Sequence, residues 1–86
     1  MGESEQDRLK RLKMRSWRRG IKEMDLILGP YSDTEIEGLD ETQIALYDAM
    51  LSENDHDLYQ WITGQKQTPQ EYLGMIAVIS KFAFKS

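Results

Sequence analysis

Eighty-six residues, 40% hydrophobic and 30% charged with a net charge of −4, describe one small domain with no room for a second core. No cysteine is present, which excludes disulfide staples, thiol catalysis and cysteine-ligated zinc. The longest apolar run, Leu73–Ile79, falls far short of the ~20 residues that a membrane-spanning helix requires, and Gly74 interrupts it.

The acidic start (Glu3, Glu5, Asp7) argues against a secretory signal or an uncleaved presequence. Met1-Gly2 opens a myristoylation pattern, but Gln6 stands where that pattern wants Ser or Thr. The expectation is a soluble intracellular protein: cytoplasmic if bacterial, in the mitochondrial matrix if it is a trimmed eukaryotic form. Little in the sequence anchors residues 1–6 or 84–86, so the ordered core is expected over roughly 5–82 of a single domain spanning 1–86.

Charge is unevenly distributed. Residues 8–19 carry seven basic side chains and no acidic one, whereas residues 20–86 carry four basic against twelve acidic. A bipolar surface of this kind steers a protein onto a partner of mixed charge.

Periodicity near 3.6 dominates, and no alternating strand pattern appears. Ser4 to Ser16 reads as a first helix, with Ser4 as a weak N-cap and Leu9 and Leu12 on a narrow apolar edge. Gly20 to Leu28 reads as a second, stopped by Gly29-Pro30. On it Trp17, Ile21, Met24 and Leu28 share one face, while Arg19 and Glu23 lie four apart on the other with Gly20 beside them. Tyr31 to Leu39 holds one short helical turn that carries Ile36 inward.

The third helix has strong punctuation: Asp40 as N-cap, Gln43 completing a capping box, and Leu39 with Ile44 as the hydrophobic staple. Asp55 is read as the cap of a short fourth helix carrying Leu58, Trp61 and Ile62 and ending at Gly64. Thr68-Pro69-Gln70-Glu71 opens the last helix with a cap, a first-turn proline and a returning Glu. That helix is apolar on most sides and is expected to be the most buried element. The fold class is therefore all-α, a small single-domain bundle of about five short helices.

Catalytic constellations are hard to assemble from this chain. His56 is the only histidine, and it sits between Asp55 and Asp57 at a helix start. Adjacent helical residues diverge in direction, so Asp-His-Asp is poorly spaced for chelation and reads as surface. No Walker loop, nucleophile elbow or dinucleotide fingerprint is present. No catalytic, cofactor-binding or metal-ligating residues are assigned. The basic first helix could meet phosphates, but its cations lie on several sides and the rest of the chain would repel a polyanion. An exposed i,i+4 pair such as Arg19–Glu23 is worth only ~0.3–0.5 kcal/mol and is by itself unremarkable. Composition and periodicity alone reach a small acidic helical interaction domain.

The residues themselves go further. Arg18-Arg19-Gly20-Ile21-Lys22-Glu23-Met24-Asp25 resembles the Arg-Gly-x-x-Glu signature of the succinate dehydrogenase flavinylation factors, the SdhE-type bacterial assembly factors and their mitochondrial counterparts. Pro30 follows the second helix as in that family, and Asp55-His56-Asp57-Leu58-Tyr59-Gln60-Trp61 is similar to its Asp-x-Asp-Leu-aromatic-x-Trp segment. His56 departs from the family, where proline is common. The resemblance covers roughly residues 8–82.

It implies a small helical bundle, not itself an enzyme, that binds the flavoprotein subunit of succinate dehydrogenase, and in many members that of fumarate reductase. Such a factor promotes covalent attachment of FAD to that subunit without holding the flavin stably. The resemblance also implies a partner-binding surface made of Arg18, Arg19, Gly20 and Glu23. Asp25 then supports the fold near the motif, Trp17 serves the core, and Asp57 and Trp61 serve capping and packing. The expected state is a monomer, with a weak homodimer through the Gly20 surface as a variation. The competing readings are an antitoxin-like or regulatory binding module, including a nucleic-acid binder through the first helix, and direct flavin carriage.

Overall fold

The computed structural model describes residues 3–84; Met1, Gly2, Lys85 and Ser86 lie outside it, and with them the Met1-Gly2 start considered above. Five α-helices follow in order: α1 Glu5–Trp17, α2 Lys22–Glu35, α3 Glu41–Met50, α4 Asp55–Ile62 and α5 Leu73–Phe84. A 3-10 turn at Ile36–Gly38 joins α2 to α3, and a second at Gln70–Tyr72 leads into α5. No strand occurs among the described residues. Each of the five helices hides one apolar stripe, and the stripes meet in a core that includes Leu12, Met24, Leu28, Tyr31, Ile36, Tyr47, Met50, Leu58 and Ile79. Burying side chains of this size is worth roughly 1.5–3 kcal/mol each before the entropy of ordering the chain is set against it.

Local signals set several boundaries. The Ser4 hydroxyl accepts from the Asp7 N–H at 3.1 Å and starts α1. Just before the helix, Glu3 pairs with Arg11 at 2.9 Å. The Asp40–Gln43 capping box is complete, with bonds of 2.8 and 3.0 Å. Gly64, with φ of 80°, closes α4 in the left-handed region that glycine favours.

Four expectations are corrected. First, α2 does not stop at Gly29-Pro30 but continues through both to Glu35. Pro30 cannot donate to the carbonyl of Leu26, but Leu26 is an exposed residue. Burial of Tyr31, which packs on Tyr47 and edge-on to Phe82, favours continuing the helix. A glycine suits position 29 because a Cβ there would fall into the indole ring of Trp17. Second, Trp17 is not a core residue: it is 42% exposed, lies across Gly29 and donates its indole N–H to Asp33 at 3.2 Å.

Third, Asn54 caps α4, not Asp55; its side chain accepts from the His56 N–H at 2.8 Å, and Asp57 sits in the first turn. Fourth, α5 is not the most buried element. Met75, Ile76 and Ile79 face the core, but Leu73, Val78 and Phe84 are all more than half exposed. Its approach is a 3-10 turn behind Pro69 with no side-chain cap, so Thr68 does not serve as one. Trp61 does pack as expected, stacking on Tyr72 with ring centroids 6.0 Å apart.

Candidate functional site

The Arg18–Glu23 stretch is not one face of a continuous helix. The helix of α1 ends at Trp17, Arg18 and Ile21 take non-helical backbone angles, and α2 begins at Lys22. Arg19 and Glu23 therefore do not form the i,i+4 pair that helical spacing suggests.

Arg19 turns inward. Its Nε donates to Asp55 Oδ1 at 2.7 Å, and its terminal nitrogens donate to the carbonyls of Arg15 at 3.3 Å and Glu53 at 3.4 Å. The side chains of this pair are only 9% and 13% exposed for Arg19 and Asp55. The second carboxylate oxygen of Asp55 accepts the backbone N–H of Gly20, and Asp25 Oδ1 accepts the N–H of Arg19 at 2.6 Å. Two aspartates from two different helices thus take the backbone N–H groups of Arg19 and Gly20 at the break between α1 and α2. This is the local reason the chain leaves the helix: donors that would bond up the helix are taken by carboxylates, which accept more strongly than neutral carbonyls.

Gly20 has no positive φ; among the described residues only Gly64 does. What Gly20 supplies is space. A Cβ built on it would stand 2.8 Å from Asp55 Oδ2, closer than side-chain atoms pack.

With Arg19 internal, the exposed part of the segment is Arg18, Gly20, Lys22 and Glu23. The side chains of Arg18, Lys22 and Glu23 make no hydrogen bond or ion pair among the described residues. Of the residues expected to meet a partner, the structure thus brings Arg18, Gly20 and Glu23 to the surface together and withdraws Arg19. Asp25 lies beneath the segment and accepts the Arg19 N–H. Asp55 was missed as a site residue because its place at a helix start read as a cap. Leu26 was missed as well: 60% exposed and three residues beyond Glu23, it adds an apolar group to this surface. Three consecutive apolar residues, Leu26-Ile27-Leu28, cannot all face inward from one helix, and that was the available sequence clue.

The basic first helix is largely neutralised from within. Arg8 pairs with Glu41 at 2.7 Å, Arg11 with Glu3 and Asp48 at 2.9 Å each, Lys13 with Glu37 at 3.1 Å and Arg15 with Asp48 at 2.5 Å. The Arg11 guanidinium, bonded to Asp48 and seconded by Arg15, holds that carboxyl below the usual aspartate range against the opposing effect of burial. These cations tie α1 to its neighbours and are not presented as a phosphate-binding stripe. Among the described residues no helix is long and apolar enough to cross a membrane, and no group of three or more acidic or histidine side chains is arranged to hold a metal ion.

Comparison with known proteins gives the family of the chain. A family profile described as flavinator of succinate dehydrogenase matches residues 10–83. Succinate dehydrogenase assembly factor 2-B, mitochondrial, of Drosophila mojavensis is 42% identical over 67 residues, 76% of this chain and 43% of the relative. Succinate dehydrogenase assembly factor 2, mitochondrial, of Drosophila grimshawi is 39% identical, again over 76% of this chain and 46% of the relative. FAD assembly factor SdhE of Legionella pneumophila (strain Lens) is 37% identical over 62 residues, 72% of this chain and 78% of the relative. The chain thus spans less than half the length of the insect proteins and most of the bacterial one. With a family match from residue 10 to residue 83, the chain belongs to the family of flavinators of succinate dehydrogenase.

Proposed function

We propose that this protein is an assembly factor that binds the flavoprotein subunit of succinate dehydrogenase and promotes covalent attachment of FAD to it. The flavoprotein of fumarate reductase is proposed as a second client. The observation that carries this reading is the exposed set Arg18, Gly20, Glu23 and Leu26, at the break between α1 and α2 and on the start of α2, in a chain of this family. The flavin and a histidine of the client supply the bond-forming chemistry, which is autocatalytic in the client. This chain supplies binding energy that favours one arrangement of the client over competing ones, so that the reacting groups are held close.

In this arrangement Arg18 and Glu23 make charge-assisted hydrogen bonds to the client, Leu26 adds apolar area, and the small Gly20 admits close backbone approach. The flavin stays with the client and is not stored on this protein, which acts as a monomer. Its compartment is that of its client: the bacterial cytoplasm, or the mitochondrial matrix for a eukaryotic form. A nucleic-acid-binding role is disfavoured because Arg8, Arg11, Lys13, Arg15 and Arg19 already have carboxylate partners inside the molecule.

The test is the covalent flavin fluorescence of the denatured succinate dehydrogenase flavoprotein from cells with and without this protein, and with its Glu23→Ala variant. The fluorescent band should disappear without the protein and fall by about tenfold with Glu23→Ala, the loss expected of one central interface residue. An equal band in all three would remove the proposed function. Glu23→Ala is a cleaner probe than Gly20→Arg, because any side chain at Gly20 also meets Asp55.

A further inference from the structure

We infer that Asp55 is the positioning residue of the Arg-Gly segment, and that Arg19 serves client binding through Asp55 and not by touching the client. The inference rests on the reading that the Arg18–Glu23 surface docks a flavoprotein, and it assigns the motif's members to two different tasks.

Three observations carry it. Asp55 uses both carboxylate oxygens on this segment, one for Arg19 Nε and one for the Gly20 N–H. Arg19 is itself spent on internal acceptors, since its three side-chain nitrogens go to Asp55 and to the carbonyls of Arg15 and Glu53. A guanidinium with three of its five N–H donors engaged inside the molecule, and only 9% exposed, has little surface to offer a partner. Finally, the glycine leaves room for this carboxylate: a Cβ at Gly20 would stand 2.8 Å from Asp55 Oδ2, so the oxygen that accepts the Gly20 N–H would have to shift.

Asp55 opens α4, so the clamp fixes an irregular stretch of backbone to a helix whose Leu58 and Ile62 are buried in the core. The Glu53 carbonyl bonded to Arg19 and the Glu53 carboxylate bonded to the Tyr72 hydroxyl at 3.0 Å extend the anchorage toward α5. The segment that displays Arg18, Gly20 and Glu23 is thereby set in place before a client arrives, and pre-organisation of this kind improves affinity without adding a contact.

The experiment compares Asp55→Asn, Arg19→Gln, their double variant and Asp48→Asn, an ion-pair control on α3 whose carboxylate pairs with Arg11 and Arg15 and makes no bond to the Arg19–Gly20 segment. Two quantities are read well below each melting temperature: hydrogen exchange of the Gly20 amide, and the Kd for purified flavoprotein subunit. Asp55→Asn should speed Gly20 exchange and weaken binding by about tenfold each, while Asp48→Asn changes both by less than about twofold. The double variant should bind about as weakly as either single one, because the two residues act as a unit. Additive losses in the double variant would mean that Arg19 touches the client directly and would overturn the inference. So would wild-type affinity in Asp55→Asn, or an equal loss in Asp48→Asn. If the unaltered protein fails to bind the flavoprotein at all, the docking reading itself fails, and the Gly20 exchange still reports separately whether Asp55 holds the segment.

Discussion

Asp48 and Asp55 each face two donors, yet they do different things. Asp48, on α3, takes the guanidinium groups of Arg11 and Arg15 from α1, and its side chain is 28% exposed. It joins two helices that are already formed and already packed. Asp55 takes one guanidinium and one backbone N–H, is about half as exposed, and holds Arg19 and Gly20, which lie outside both flanking helices. Water can take over much of what Asp48 does when its partners are removed, as with most surface ion pairs. Nothing equivalent replaces Asp55, because its loss leaves the Arg19 charge buried without a counter-charge.

The contrast is open to direct attack. Removing the buried acid, by Asp55→Ala, should give the largest effect. Breaking one side of a buried pair costs about 3–5 kcal/mol, and the residual exposure of this one places the loss at roughly 3 kcal/mol in a denaturant titration. An Asp55→Ala chain as stable as the unaltered one would erase the distinction between the two aspartates. Gly29→Ala comes next. It leaves both aspartates intact but drives a methyl into the Trp17 indole, with an expected cost of about 1–3 kcal/mol and a change in tryptophan fluorescence as the ring is lifted.

Asp48→Asn should cost less than about 1 kcal/mol at neutral pH. Its signature is instead in acid. Arg11 keeps the folded-state titration of Asp48 below the ordinary value, so its stabilising contribution is present above the unfolded aspartate pKa of about 3.9. That contribution is lost as pH falls through the lower folded value. Melting temperature measured from pH 6 down to 2 should therefore fall less steeply for Asp48→Asn than for the unaltered protein.

The smallest effect lies at the alkaline end. Burial pushes the Tyr47 hydroxyl up to about 12, despite its hydrogen bond to Ser16 at 2.7 Å. The folded state holds this proton more tightly than the unfolded one, so stability is complete below pH ~10 and declines above it. Tyr47→Phe should flatten that decline in an alkaline melting series.

Much of this fold was legible in the sequence because local chemistry and tertiary packing agree there. The Ser4 cap, the Asp40–Gln43 box and the inward stripe of Leu58 and Ile62 are of that kind. The failures fall where a distant residue decides. Glycine and proline at positions 29 and 30 read as a stop, but Trp17, twelve residues earlier, needs the glycine inside a helix. Gly20 read as an awkward helix start, although a glycine just past a basic last turn is also an ordinary helix end. Arg19 read as free because its partner lies 36 residues away, and no spacing rule links the two. Of the four motif residues expected on one surface, Arg18, Gly20 and Glu23 are displayed, while Arg19 is held inside.

The most direct measurement is a reconstitution from purified components: flavoprotein subunit lacking flavin, FAD, and this protein or its Glu23→Ala or Asp48→Asn variant, with in-gel covalent flavin fluorescence followed over time. The account predicts fast attachment with the unaltered protein and with Asp48→Asn, and a rate at least about tenfold lower with Glu23→Ala, approaching that of the flavoprotein alone. Equal rates with and without the protein, or full activity of Glu23→Ala, would contradict it.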